Sequence, residues 1–393
     1  MQVFLAVVLA GLLARLGYQM ARSPVLPRFA EELGATPELL GIIIAASTIT
    51  GIFFKLPSGA LSDIIGKKRV MMIGGLFFAF PPFLYPLISD ATTLLWLRFL
   101  HGFATAIFSP VAAAYVAGLA ADKRGARLGW VASANDTGAL LGPMIGGFVL
   151  FFTASFDATF LFVGVLGVVT LAVIAFLPAD QPSAAAADEP AARWTRFWQG
   201  LREVCSTPAI LVASGAEAAM YLGFGAFLGF LPIYAKDAQL NDGQITVVLG
   251  AQLVTALATK PAAGWLSDRV GRKVVIVAGL FAAALSLPLI FRADGFVPLL
   301  MFAPLLGVGV GAVTPVTNAL VADLARERRL GAAMGVFGTI WDIGESAGPI
   351  LAGFLIAQFS YGRSFDIIAV AMAAAAIALA FSVKDRSPAA QGR

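Results

Sequence analysis

One ten-residue phrase occurs twice in the chain. Gly59 to Lys68 reads GALSDIIGKK, and 205 residues later Gly264 to Lys273 reads GWLSDRVGRK; a lysine (Lys55, Lys260) precedes each first glycine by four residues. The same offset takes Leu26-Pro27 to Leu231-Pro232 and Ser109-Pro110-Val111 to Thr314-Pro315-Val316. One residue more takes Asp136-x-Gly138-xxx-Gly142-Pro143 to Asp342-x-Gly344-xxx-Gly348-Pro349. An offset shared by so many positions marks a tandem duplication. Each half must then build a similar unit, and the function is expected between the halves.

Composition decides the solvent. With 59% hydrophobic and 13% charged residues, the 393-residue chain carries more apolar surface than a water-soluble core needs. Apolar stretches of about 20 residues between short polar clusters predict membrane helices, whereas a barrel would show short alternating segments. Hydropathy places twelve spans near 3-27, 37-62, 70-89, 92-120, 126-152, 157-178, 208-234, 242-266, 273-291, 295-323, 331-358 and 362-383. The expected fold is an all-α membrane protein of two pseudo-symmetric six-helix bundles, 1-178 and 208-383, joined by a linker at 179-207 and followed by a tail at 384-393.

The first 21 residues have no basic leader and are interrupted by Arg15, which reads as a retained span and not a cleaved signal. Basic clusters near 67-69, 123-127, 193-202, 269-273, 326-329 and 384-393 fall on one side, against Arg22, Arg28, Lys236, Arg292 and Arg363 on the other. The positive-inside rule then predicts both termini in the cytoplasm of a multi-pass inner (plasma) membrane protein. Within the linker, RWTRFWQGLREV sets Trp194, Phe197, Trp198 and Leu201 at helical spacing beside Arg193, Arg196 and Arg202, as an interfacial helix would. The single Cys205 and single histidine rule out a disulfide scaffold and supply no metal cluster; no cofactor and no nucleic-acid partner are expected.

Ionisable residues inside spans are the sharpest functional signal, since each costs about 2.5 to 3.5 kcal/mol at the bilayer centre unless paired or solvated. Arg15, His101, Asp136, Glu217, Asp342 and Glu345 count to near mid-depth and are expected to face an aqueous cavity. Arg98 shares a helix face with His101 and has Ala303 at its duplicated position, so it is harder to explain as inherited architecture; a buried arginine paired only to stabilise its bundle is the alternative. Asp136 and Asp342 are duplicated and fit either architecture or coupling. Glu217, with Tyr221 one turn on, and Glu345, one turn from Asp342, have no carboxylate counterpart and are the stronger proton or cation candidates. His101 fits either a titrating group or a histidine hydrogen-bonded within its bundle. Lys55 and Lys260 either snorkel to the interface or, with Arg15 and Arg98, make the cavity cationic. Tyr18, Gln19, Gln252 and Trp341 complete the expected substrate-binding set with Arg15, Lys55, Tyr221 and Lys260.

The repeated phrase resembles the G-x-L-x-D-x-x-G-R/K-R/K loop between spans 2 and 3 of the major facilitator superfamily, and the resemblance extends over the whole chain. Leu97 to Pro110 (LRFLHGFATAIFSP) is similar to the family's fourth-span arginine-glycine pattern. Gly138 to Gly147 (GALLGPMIGG) is similar to the fifth-span motif of exporters, particularly drug:proton antiporters, with Gly138, Gly142, Pro143, Gly146 and Gly147 as the matching positions. ARLGYQMARSPVLPRFAEELG resembles small-molecule efflux members. Ile64 stands where the loop motif usually has arginine, and His101 where the fourth-span motif often has glutamine.

The resemblance implies a gate built from Gly59, Asp63, Gly66 and Lys67 and from Gly264, Asp268, Arg269, Gly271 and Arg272. Asp63 and Asp268 would each pair with basic groups or a helix N-terminus in one state and release it in another; an ordinary surface anchor is the plainer alternative. It also implies that Arg98 communicates with a proton-bearing carboxylate, Asp136 being nearest by depth. The expected function is secondary active transport by alternating access, with proton-coupled export of a small amphipathic organic compound by a monomer in the lipid bilayer. An organic-anion or metabolite carrier is the alternative, and a channel, receptor or membrane enzyme fits less well.

Overall fold

The computed structural model describes residues 2–119, 124–179, 207–325 and 330–382. The linker helix expected at 193-204, the basic cluster at 326-329 and the tail at 384-393 lie outside the described residues. Helix α1 (Gln2–Met20) passes through a π-helical turn (Ala21–Val25) into α2 (Leu26–Glu32). Then follow α3 (Pro37–Ile65), α4 (Lys67–Ala79) with a 3-10 turn (Pro81–Leu87), α5 (Ala91–Leu119), α6 (Arg124–Thr153) and α7 (Phe156–Ala175). The second half comprises α8 (Pro208–Asp237), α9 (Asp242–Val270), α10 (Arg272–Ile290), α11 (Phe296–Leu324), α12 (Leu330–Gln358) and α13 (Tyr361–Ser382). Among the described residues there is no strand, and 12 helical segments are long and apolar enough to cross a bilayer. The first extends from Gln2 to Glu32, beyond the expected 3-27, so Arg28 as well as Arg22 stands on it.

Helices are the required solution here, because hydrocarbon offers no partner for an open backbone group. Large apolar side chains such as Phe53, Trp96, Phe152, Phe176 and Phe381 stay on the outside, which suits lipid and not water. Contacts divide the chain into unit 1, from Met1–Ala187 with Asn241–Thr246, and unit 2, from Asp188–Leu240 with Val247–Arg393. The first turn of α9 thus belongs to unit 1, where Asp242 ion-pairs with Arg28 and Thr246 lies against Gly147.

The duplicated glycines set the helix spacing in each unit. In unit 1, a Cβ at Gly138, Gly142 or Gly146 of α6 would lie 3.0, 2.7 or 2.6 Å from the carbonyl oxygen of Leu12, Leu16 or Met20 of α1. In unit 2, one at Gly344 or Gly348 of α12 would lie 2.3 or 2.2 Å from the oxygen of Ala218 or Leu222 of α8. The contacted pairs share one offset, 206 residues, so both the glycines and the backbone they touch are duplicated. A second close crossing repeats at offset 205: Gly102 of α5 against Ser47 of α3, and Gly307 of α11 against Gln252 of α9. Small residues at such crossings let dispersion and polar contacts act between helices that gain no hydrophobic drive in lipid.

The offsets differ for a structural reason. From Leu16 to Leu26 the first half spends ten residues where Leu222 to Leu231 spends nine, and the π-helical turn Ala21–Val25 lies in that interval. Ser23 leaves helical geometry there (φ −149°, ψ 136°), and the resulting kink takes up the extra residue.

The repeated loop is the same structure twice. Gly66 (φ 96°, ψ 141°) and Gly271 (φ 97°, ψ 144°) each donate their N–H to the serine carbonyl four residues back, Ser62 and Ser267, at 3.1 Å. Those serines in turn donate their hydroxyls to Gly59 O at 2.7 Å and Gly264 O at 2.8 Å. Helix starts elsewhere use side-chain caps. Asp90 accepts from the Thr93 amide at 2.8 Å and the Thr93 hydroxyl at 2.6 Å. These bonds hold its carboxyl below the usual range, so the cap is intact above the ordinary carboxylate pKa and is lost as pH falls through the lowered value. In unit 2, Arg292 after α10 grips Asp366 of α13 with two parallel bonds of 2.8 and 2.5 Å.

Alanine at the repeated glycines separates these roles by thermal unfolding of purified protein. Gly264→Ala, with nothing within 4 Å of the new Cβ, is expected to leave the midpoint unchanged. Gly66→Ala and Gly271→Ala force alanine into positive φ and are expected to cost about 1 to 3 kcal/mol each. Gly348→Ala, driven into a carbonyl, is expected to lower the midpoint more than Gly138→Ala does.

Candidate functional site

Each unit contains its own buried polar centre. In unit 1, α5 presents Arg98 and His101 one turn apart, both fully buried. The Arg98 guanidinium donates from Nη2 to Ser47 Oγ of α3 at 2.8 Å and from Nη1 to the Tyr85 hydroxyl at 3.3 Å. It also stands 5.7 Å from the Tyr18 ring centroid of α1. Among the described residues no carboxylate pairs with it. Hydroxyl oxygens and an aromatic face therefore carry the burden of a buried cation, the face contributing about 0.5 to 2 kcal/mol.

The same hydroxyl ties the arginine to the histidine. The Tyr85 hydroxyl, which accepts from Arg98, lies 3.1 Å from His101 Nδ1. One proton, the tyrosine's or the imidazole's, joins the Tyr85 oxygen to His101 Nδ1. His101 Nε2 is buried without a partner. His101 borders a crevice with Leu13, Gly17, Tyr18, Phe78, Val163 and Gly167, and its ring meets Tyr18 edge-on at 5.2 Å. At offset 205 the equivalents of Tyr85, Arg98 and His101 are Ile290, Ala303 and Leu306, all fully buried. The polar centre of unit 1 is an apolar core in unit 2.

In unit 2 the centre is a carboxylate. Glu217 of α8 is fully buried, and neither of its oxygens has a hydrogen-bond partner. Thr314 and Thr317 of α11 lie beside it. Thr317 Oγ1 spends its proton on Val313 O at 2.8 Å, and Thr314 Oγ1 has no partner. Ser214, one turn before Glu217, is fully buried with its Oγ unpartnered. At offset 206 the position equivalent to Glu217 is Gly11, so the carboxylate too belongs to one half only. Nearby on α8, Tyr221 packs against Trp341 of α12 with ring centroids 4.6 Å apart, and Trp341 Nε1 is buried without a partner.

The other expected residues are scattered. Asp342 is buried, Glu345 is half-buried and Asp136 is exposed. Arg98, expected to communicate with Asp136, is bonded instead to Ser47 and Tyr85, because its side chain points between α3, α1 and the 3-10 turn. Arg15 is half-buried with its Cβ against the Gly138 position, Gln19 is buried against Gly142, and Gln252 is fully buried with both amide atoms unpartnered. Lys55 and Lys260 are half-buried, and the Lys55 stem lies back along its own helix against Gly51. In the loops, Asp63 and Lys67 are half-buried and Asp268 is exposed. Arg269 lies 3.8 Å over the Trp265 ring, and Arg272 pairs with Asp323 at 2.6 Å.

Sequence reasoning missed Tyr85, Ser47, Ser214 and, as a site residue, Thr314. The available signals were hydroxyls inside strongly apolar spans and the Ser214-x-x-Glu217 spacing, which puts both on one helix face. Among the described residues no group of three or more His, Cys, Asp or Glu side chains could hold a metal.

Comparison with known proteins follows the same lines. The family model described as Major Facilitator Superfamily matches residues 7–239 and 213–393. An uncharacterized MFS-type transporter of Methanocaldococcus jannaschii is 25% identical over 338 residues, covering 85% of this chain and 86% of the relative. The quinolone resistance protein NorA of Staphylococcus aureus is 24% identical over 363 residues, covering 91% of this chain and 90% of NorA. Among solved structures, the nucleoside transporter NupG superposes with a TM-score of 0.81 at 13% identity, covering 97% of this chain and 100% of NupG. A bacterial homolog of the human lysosomal transporter Spinster gives 0.75 at 13% identity, covering 96% of this chain and 94% of the other; at that identity both show the fold alone. The chain belongs to the Major Facilitator Superfamily and is a multi-pass membrane transporter, not an enzyme.

Proposed function

We propose that the protein is a proton-coupled exporter of small amphipathic organic compounds, working by alternating access in an inner membrane with both termini cytoplasmic and acting as a monomer. The observation that carries this reading is Glu217, a fully buried carboxylate with no hydrogen-bond partner at either oxygen. An ionised carboxylate in that position is costly, and carrying a proton removes the cost. A movement that wets the site would let the proton leave, which is the elementary act of a proton-coupled carrier.

Export is supported by the exporter-type glycine-proline helix and by a relative of nearly full length named for quinolone resistance. The aromatic pair Tyr221–Trp341, with an unpartnered indole N–H, offers an apolar ligand both a stacking face and one donor. Arg98, engaged by Ser47 and Tyr85 inside unit 1, is withdrawn from the cations that an organic-anion carrier would use.

The test is proton movement in inside-out vesicles with an acidic interior, challenged in turn with lipophilic cations, neutral drugs and organic anions. A cation or neutral compound is expected to dissipate the gradient only when the protein is present, and Glu217→Gln is expected to abolish that response with expression retained. An unchanged pH profile in Glu217→Gln contradicts the assignment. Asp63→Asn is expected to slow transport about two- to fivefold, the worth of one charge at a helix end, while leaving substrate affinity unchanged. Wild-type rates would show that Asp63 is only an anchor.

A further inference from the structure

Helix α9 is shared by both units. It runs unbroken from Asp242 to Val270, yet its first turn belongs to unit 1 and the rest to unit 2. Any movement of one unit against the other must therefore strip that turn from unit 1 or bend a continuous helix. The turn is held in two ways. A Cβ at Gly147 of α6 would lie 3.0 Å from Thr246 Cβ, and one at Gly243 would lie 3.2 Å from Phe151 Cδ2, so α6 and the turn touch through glycines. In addition, Arg28 Nη1 of α2 donates to Asp242 Oδ1. The two side chains are only 13% and 22% exposed, so water and salt screen this pair less than a surface contact.

Each charge also has a second partner within reach. Glu31 lies one turn beyond Arg28 on α2, with Oε2 3.7 Å from Arg28 Nε, and that nitrogen is buried without a hydrogen bond while Nη1 is on Asp242. A rotation of the guanidinium closes the gap with no change of backbone. Asp242 is the first residue of α9, where the positive end of the helix dipole favours a carboxylate. The turn keeps its own shape: Asn241 and Gln244 exchange side-chain-to-amide bonds of 2.9 and 3.0 Å, and Thr246 Oγ1 donates to Asp242 O at 2.6 Å. Release thus leaves neither charge buried and alone, and the helix start stays intact. At offset 205 the equivalents of Arg28 and Asp242 are Ile233 and Pro37, so the arrangement occurs once. We propose that Arg28 is a two-position switch, paired with Asp242 while the first turn of α9 is docked on α2 and α6, and transferred to Glu31 when the turn leaves. Exchanging one ion pair for another keeps the docked and undocked states close in free energy, as a carrier that cycles between them requires. The switch rests on alternating access and is independent of Glu217.

Thiol modification reads the docking directly. Thr246 is 1% exposed, so a cysteine there is protected until the turn leaves. Full-length protein carrying Cys205→Ser, which removes the single native cysteine, and Thr246→Cys is purified into nanodiscs, and its rate of modification by a bulky hydrophilic maleimide is measured. Asp242→Asn weakens the docked pair and is expected to raise the rate about fivefold. Glu31→Gln removes the alternative partner and is expected to lower it about twofold. Glu32→Gln, one residue on and exposed, is the control and is expected to leave the rate unchanged. Opposite signs are the signature, because simple loosening of the fold raises the rate in every variant. Rates that move together, or a Glu31→Gln rate equal to the control, overturn the switch and leave alternating access standing. A cysteine that reacts in no variant shows a turn that never undocks, which overturns both. Glu31 and Glu32 are exposed, so their comparison carries the test if Asp242→Asn does not fold. Opposite signs together with an unchanged vesicle response in Glu217→Gln leave the switch standing and remove the proton assignment.

Discussion

Hydrocarbon gives a helix no hydrophobic reason to touch its neighbour, so this protein depends on backbones that approach closely enough for dispersion and polar contacts to act. Gly138, Gly142 and Gly146 against Leu12, Leu16 and Met20, and Gly344 and Gly348 against Ala218 and Leu222, are those approaches. Each glycine stands where a single methyl would strike a carbonyl of the partner helix. Once α1 lies on α6 and α8 on α12 at this distance, the positions of Tyr18 and Glu217 in their units follow. The close crossing of Gly102 with Ser47 likewise brings α3 near enough for Ser47 to bond Arg98.

Duplication supplied the frame, and divergence supplied the chemistry. Backbone features repeat almost to the decimal: the two glycine loops differ by 1° in φ and 3° in ψ, and their serine bonds by 0.1 Å. The fully buried ionisable side chains do not repeat. Arg98, His101 and Tyr85 face alanine, leucine and isoleucine at the equivalent positions, and Glu217 faces Gly11. A transporter built from two copies of one fold can thus place a hydrogen-bonded arginine in one half and a buried carboxylate in the other without disturbing the packing that both inherit.

How much of this was legible in the sequence follows from which physical signal encodes it. The spans, the twofold repeat and the glycine faces were readable because hydropathy and residue size are properties of position along the chain. The change of offset between Leu16 and Leu26 was readable too, and its cause, a kink at Ser23, needed the backbone. Depth by residue count grouped Arg15, His101, Asp136, Glu217, Asp342 and Glu345, yet His101 and Glu217 are fully buried and Asp136 is exposed. Counting residues gives height in the membrane and leaves helix rotation undetermined. The partners of Arg98 escaped for the same reason: Ser47 and Tyr85 are 51 and 13 residues away and meet it only through the register between elements.

The functional reading turns on whether Glu217 carries an exchangeable proton while buried. Infrared difference spectroscopy of the purified protein near neutral pH measures this without knowledge of the substrate. The expected result is a carbonyl band of a protonated carboxylic acid that is present in the wild type, fades as the pH is raised and is missing from Glu217→Gln with the amide bands unchanged. A wild-type spectrum with no such band, or the same band in Glu217→Gln, would contradict it.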